Sequence, residues 1–127
     1  MKYLLDTHAA LWALDDKTML SKAAQSILDD VSVPLCISIV SAWEVAIKVS
    51  VNKLDFLGVS EVFLEKMQQN GIELLNLKGT YLKHVETLPF HHRDPFDRLI
   101  IATAIAENIA IITADENIQK YDVHCIW

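Results

Sequence analysis

Five short apolar runs alternate with helical patterns along this chain, and no run is joined to the next by a hairpin dipeptide such as Asn-Gly. The runs are Lys2 to Leu5, Val33 to Ser38, Ile72 to Leu75, Ala110 to Thr113 and Val123 to Ile126. Antiparallel strands can be closed by a two-residue turn, whereas parallel strands need a long crossover, usually a helix. The alternation therefore predicts an α/β chain with a central, mostly parallel sheet covered on both faces, a three-layer α/β/α sandwich.

The helices between the runs have recognisable starts and stops. Asp6 or Thr7 caps a first helix that runs through Leu14, and Ser21 caps a second that ends near Asp30, with Ala24, Ile27, Leu28 and Val31 on its apolar face. A third begins at Ser41, where Val40, Trp43, Ile47 and Val51 supply the stripe expected to be buried, and Asn52 suits a left-handed cap. A fourth opens at Ser60, carries Val62, Phe63 and Met67, and stops at Gly71. A short helix covers Gly79 to Val85, and Leu88 to Arg93 reads as a loop. Pro95 to Glu107 is helical and apolar nearly all round, as expected of a helix pressed between other elements. With neither repeat nor linker in its 127 residues, the chain reads as one domain.

Acidic residues follow or lie near the ends of the apolar runs. Asp6 ends the first, Asp115 follows the fourth, Glu44 lies one helical turn beyond the second, and Asp94-Pro95-Phe96-Asp97 opens the apolar helix. In a parallel sheet the C-terminal strand ends share one edge, where open α/β folds place their ligands. Carboxylates gathered there repel one another by about 4 kcal/mol per pair at 4 Å and an effective dielectric near 20, which a hard cation relieves. Each acid also has a local explanation. Ser41 to Glu44 and Thr113 to Glu116 have the spacing of capping boxes, Glu44 can pair with Lys48, Asp94 can cap its helix with Pro95 in the first position, and Asp97 compensates the dipole. Capping alone does not require four helix starts to share one sheet edge. Asp97 also shares a stripe with Ile101 and Ala104, which turns it toward the covered side of its helix, where an unpaired charge is costly. Oxygen ligands without clustered Cys or His favour Mg²⁺ or Mn²⁺ over Zn²⁺.

Composition narrows the function classes. Hydrophobic residues make up 52% of the chain, which argues against disorder. A formal charge of -6 argues against passive binding to long nucleic acids, although Lys48, Lys53, Arg93 and Arg98 lie near the acids in sequence and leave an anionic substrate open. Cys36 and Cys125 form neither a metal knuckle nor a disulfide framework, so a reduced, cytoplasmic chain is expected. No secretory signal is visible, and the longest apolar stretch, Leu99 to Ile112, is too short for a bilayer.

Four segments together carry a resemblance. They are Tyr3-Leu4-Leu5-Asp6-Thr7-His8, the run from Ser38 through Glu44 to Lys48, the run from His92 through Asp94-Pro95-Phe96-Asp97 to Ala102, and Ile112-Thr113-Ala114-Asp115. In order and spacing the chain resembles, end to end, the PIN-domain family, specifically its VapC-like toxin ribonucleases. The resemblance implies the sandwich above, Mg²⁺ or Mn²⁺ dependence, endonucleolytic cleavage of RNA to 5′-phosphate and 3′-hydroxyl ends, an antitoxin protein as partner, and a homodimer. It carries the family's acidic quartet onto Asp6, Glu44, Asp97 and Asp115, with Asp94 as an adjacent acid. Asp6 and Asp97 are then the principal metal ligands, and Thr113 orients a carboxylate or a water. Asn52 stands where relatives often have Gly, a change that a left-handed backbone tolerates.

Other readings compete. His8, His84, His91 and His92 invite a zinc site, but no His-Glu-x-x-His spacing exists. Trp12, Trp43 and Trp127 suggest a stacking platform, against which core packing is expected for the first two and a free, partner-seeking terminus for Trp127. A noncatalytic interaction module on the same fold would be free to lose an acid, and none of the quartet is lost. A phosphoacceptor domain needs a lysine after a late strand, where this chain has Asp115.

Overall fold

The computed structural model describes residues 1–54 and 60–127. Among them, five parallel strands form one sheet: β1 (Tyr3–Leu5), β2 (Leu35–Ser38), β3 (Glu73–Leu75), β4 (Ala110–Ile112) and β5 (Cys125–Ile126), in the order β3-β2-β1-β4-β5. The helices are α1 (Thr7–Asp15), α2 (Lys22–Asp29), α3 (Ile39–Ser50), α4 (Ser60–Gln69), α5 (Gly79–Thr87), α6 (Pro95–Glu107) and α7 (Glu116–Gln119), with a 3₁₀ turn at Lys17–Met19. The expected sandwich is the one found.

Strand side chains alternate between faces, and both faces of this sheet are buried. Leu5, Ile37 and Ile112 pack with Ala9 and Ala10 of α1, Ala24 of α2, Val45 of α3, and Phe63 and Met67 of α4. Leu4, Cys36 and Ile111 pack with Ile100, Ile101 and Ala104 of α6 and Ile118 of α7. This division explains why the strands read as unbroken apolar runs instead of alternating ones.

The chain builds outward from β1 through β2 to β3, then returns to lay β4 on the other side of β1. Leu5 thus lies between Ile37 and Ile112, and the Asp6 amide still donates to Ile112 O at 3.2 Å. This reversal of winding opens a crevice beyond the strand ends, between the segments that follow β1 and β4.

Several local expectations change. α3 begins at Ile39 because Ser38, whose hydroxyl accepts from the Val40 amide, is its cap. Ser41 and Glu44 therefore lie inside the helix and form no capping box. Of the predicted stripe only Val40 is buried; Trp43, Ile47 and Val51 are turned outward, 58%, 37% and 53% exposed, and Ser41, Ala42, Glu44 and Val45 join Val40 on the buried face. Small and polar residues take the inner face because that face meets α1, where Thr7 touches Ser41. Val31 lies beyond the end of α2 and is fully exposed, so it belongs to no apolar face. Trp127 is half-buried against Trp12, with ring centroids 5.7 Å apart, and is not a free terminus.

The predicted stops hold at Asn52 (φ 57°) and Gly71 (φ 72°), both left-handed. Asn108 does the same for α6 at φ 54°. Neither thiol is in a disulfide: Cys36 lies on β2 and Cys125 on β5, with β1 and β4 between them. Among the described residues no helix is long and apolar enough to cross a membrane.

Candidate metal centre

Asp6 leaves β1 at the crevice and caps α1. Its Oδ1 accepts from the Ala9 amide at 2.7 Å, and its Oδ2 accepts from the hydroxyl of Thr113, the residue after β4. Only 4% of Asp6 is exposed. Burial raises its pKa above the usual carboxylate range and the charge of Asp115 adds to this, while the Thr113 hydroxyl, the Ala9 amide and His8 work the other way.

Glu44 faces the same region from the buried side of α3. Thr7 Oγ1 lies 2.7 Å from Glu44 Oε1 and 2.9 Å from Ser41 Oγ. A hydroxyl has one proton, and the acceptor-only carboxylate claims that of Thr7, leaving Ser41 to donate in turn. Lys48, one turn along, pairs with Glu44 Oε2 at 2.9 Å, as the spacing of the two residues suggested.

Asp94 caps α6 as expected, its Oδ1 accepting from the amides of Phe96 and Asp97. Asp97, in the first turn, is pushed up to about 7 by burial and, to a lesser degree, by the charges of Asp94, Asp115 and Glu44, against the opposing hydrogen bond from His92. Those influences place Asp97 amid the other acids. Asp115 caps α7 through the Asn117 amide and lines a cleft of about 180 Å³ with Asp6, His8, Trp12 and Ala114. The Thr113-to-Glu116 capping box is thus replaced by a cap at Asp115 itself, whose own amide donates to Thr113 Oγ1 at 3.0 Å.

Asp6 and Asp115 follow β1 and β4 at one sheet edge, and the acids are electrostatically linked there: Asp115 raises Asp6, and Asp94, Asp115 and Glu44 raise Asp97. They do not close into a cage: among the described residues, no three Asp, Glu, His or Cys side chains are grouped tightly enough to hold an ion as they stand. Local donors account for this, because both oxygens of Asp6 and both of Glu44 face protein partners. Asp94 Oδ2, Asp97 Oδ1 and Asp115 Oδ2 accept no hydrogen bond among the described residues and are available to a ligand.

The basic residues separate clearly. Arg98 is 5% exposed, and its guanidinium donates to Pro89 O at 2.7 Å, Leu88 O at 3.1 Å and Tyr121 Oη at 3.0 Å while lying 4.0 Å from the centroid of Phe90. It is a structural strut and cannot meet a substrate phosphate. Arg93 is exposed. The histidines do not gather for zinc: His8 stacks on Trp12, His91 meets the edge of Tyr121, and His92 reaches Asp97. Sequence reasoning missed this last contact, since nothing in the spacing of His92 and Asp97 requires it.

A model of the PIN domain matches residues 3–123. No curated protein matches the chain. Among solved structures, VapBC2 from Rickettsia felis bound to a DNA fragment from its promoter is similar at TM-score 0.76 and 18% identity, over 99% of this chain and 98% of that one. DNA-bound VapBC from Salmonella typhimurium is similar at TM-score 0.71 and 14% identity, over 99% and 97%. VapBC-5 from Mycobacterium tuberculosis, a member of the VapBC family of toxin-antitoxin systems, is similar at TM-score 0.65 and 17% identity, over 98% and 97%. With the family model spanning nearly its whole length, and with acids at the strand ends where the four segments placed them, the chain belongs to the PIN-domain family.

Proposed function

We propose that this chain is a divalent-metal-dependent endoribonuclease, the toxin of a toxin-antitoxin pair. The observation that carries the reading is the setting of Asp97: a half-buried carboxyl that burial and the charges of three other acids push up to about 7, with one oxygen unengaged. An all-oxygen donor set with surplus negative charge suits a hard cation such as Mg²⁺ or Mn²⁺. Asp6, Asp97 and Asp115 would hold it, with Glu44 and Asp94 completing the set. When bound, such an ion activates water and offsets charge on phosphate oxygens, the chemistry of phosphodiester hydrolysis.

The chain's own residues prepare that site. Thr113 and the Ala9 amide hold the Asp6 carboxylate in one orientation, and Thr7 with Lys48 does the same for Glu44. Arg93, exposed just ahead of the acids and 5.8 Å from the Phe90 ring centroid, is a basic residue that could meet the backbone of an RNA. The antitoxin partner is inferred from the VapBC neighbours, whose toxin-like chains share this fold.

A noncatalytic interaction module is the second reading, favoured by the outward stripe of Trp43, Ile47 and Val51 on α3. The two part under one experiment. Purified chain incubated with cellular RNA and Mg²⁺ or Mn²⁺ should yield fragments with 5′-phosphate and 3′-hydroxyl ends, and Asp97→Asn or EDTA should stop their formation. Undiminished cleavage under either condition refutes the metal mechanism. No cleavage by the unaltered chain favours the module.

A further inference from the structure

Behind Asp97 lies a chain of polar contacts that sequence reading left out. His92 Nε2 is 3.1 Å from Asp97 Oδ2, and His92 Nδ1 is 2.8 Å from Tyr121 Oη. The Tyr121 oxygen also accepts from Arg98 Nη1 at 3.0 Å and from the His92 amide at 3.2 Å. A phenol oxygen has two lone pairs and one proton. With both lone pairs taken by N-H donors, its proton must go elsewhere, and His92 Nδ1 at 2.8 Å is nearer than His92 O at 3.3 Å. Nδ1 is therefore an acceptor, and the neutral ring carries its own proton on Nε2, aimed at Asp97.

We infer that His92 is a positioning residue for Asp97: the buried Arg98-Tyr121 pair sets its proton on Nε2, and the ring then holds Asp97 Oδ2 so that Oδ1 faces the acidic crevice. The last step rests on the proposed metal site; the tautomer does not. Every joint is buried or half-buried. Arg98 is anchored by the carbonyls of Leu88 and Pro89, and His91 and His92 both pack edge-on against the Tyr121 ring, so the relay is held from several sides.

The test uses the full chain and Mn²⁺ alone. Nitrogen-detected NMR of the imidazole, without metal, should find His92 protonated on Nε2, and Tyr121→Phe should mix the tautomers. A ring protonated on Nδ1 in the unaltered chain overturns the inference. His92→Leu should weaken Mn²⁺ binding about tenfold, the usual scale for a lost partner of a metal ligand. His92→Gln, whose amide nitrogen can take the place of Nε2, should restore most of it, with thermal melting as the control for folding. Mn²⁺ affinity unchanged in His92→Leu overturns the positioning role. An unaltered chain that binds no Mn²⁺ sinks the metal reading and, with it, the positioning step, whereas the tautomer result stands or falls separately.

Discussion

Thr113, just past β4, donates its hydroxyl hydrogen to the Asp6 carboxylate, just past β1, and so joins the two sides of the crevice across 107 positions of sequence. Both groups are buried. Thr113→Val keeps the shape but removes both the donor to Asp6 and the acceptor for the Asp115 amide, leaving a buried carboxylate short of a partner. The expected loss is roughly 1–3 kcal/mol, read from urea unfolding at neutral pH. A loss within error would show that the Thr113 hydroxyl contributes nothing net.

Asp97 gives the metal-free chain a distinctive response to pH. Its value in the folded chain is about 7 against an ordinary 3.8, chiefly through burial. The folded state therefore holds a proton that the unfolded state has released in this interval. Stability is unpenalised below about pH 4, falls as the pH rises toward 7, and levels off above it, each unit between the two values being worth about 1.4 kcal/mol. Asp97→Asn should reduce that slope, leaving the part due to Asp6, which shifts in the same direction. Unfolding midpoints across the interval check this, and an unchanged slope in the variant contradicts it.

Arg98 should behave as a folding residue. Arg98→Leu leaves the carbonyls of Leu88 and Pro89 without their donor, at a cost of roughly 2–4 kcal/mol. Arg93→Ala, on the surface, should cost about 0.5 kcal/mol or less while lowering the affinity for RNA. Equal stability losses in the two variants would refute the division.

Trp43 and Trp12 should part in the same way. Trp43→Ala removes an exposed ring that meets Phe96 edge-on, with centroids 5.0 Å apart, and should cost about 1 kcal/mol or less. Trp12→Ala opens the core between α1 and the chain's last residue and should cost roughly 3 kcal/mol. Calorimetric melting of both variants decides it.

The fold was legible because strands and helix caps announce themselves locally. Ser21, Asp94, Asn52 and Gly71 each act as their chemistry suggests. The facing of α3 was not legible: it is apolar on more than one side, and periodicity does not say that Ser41 and Ala42 are small in order to let α1 approach. α7 was missed although Asp115-Glu116 marks its start, because four residues are too few to develop a period. At the site, the gathering of the acids at one edge followed from topology. Their individual partners did not, since Thr7 with Glu44, Thr113 with Asp6 and His92 with Asp97 are settled by packing between elements that meet only in three dimensions.

The reversal of winding at β1 has a consequence for biosynthesis. In order of synthesis Asp6 precedes both the strand that lies beside β1 and the acid that follows it, and 107 positions separate Asp6 from Thr113. Until residues 110–115 have emerged, one side of β1 has no neighbour and Asp6 lacks its donor from Thr113. The acidic edge can therefore be completed only after residues 110–115 are made, and Asp6 stays without that hydrogen bond through the synthesis of everything between.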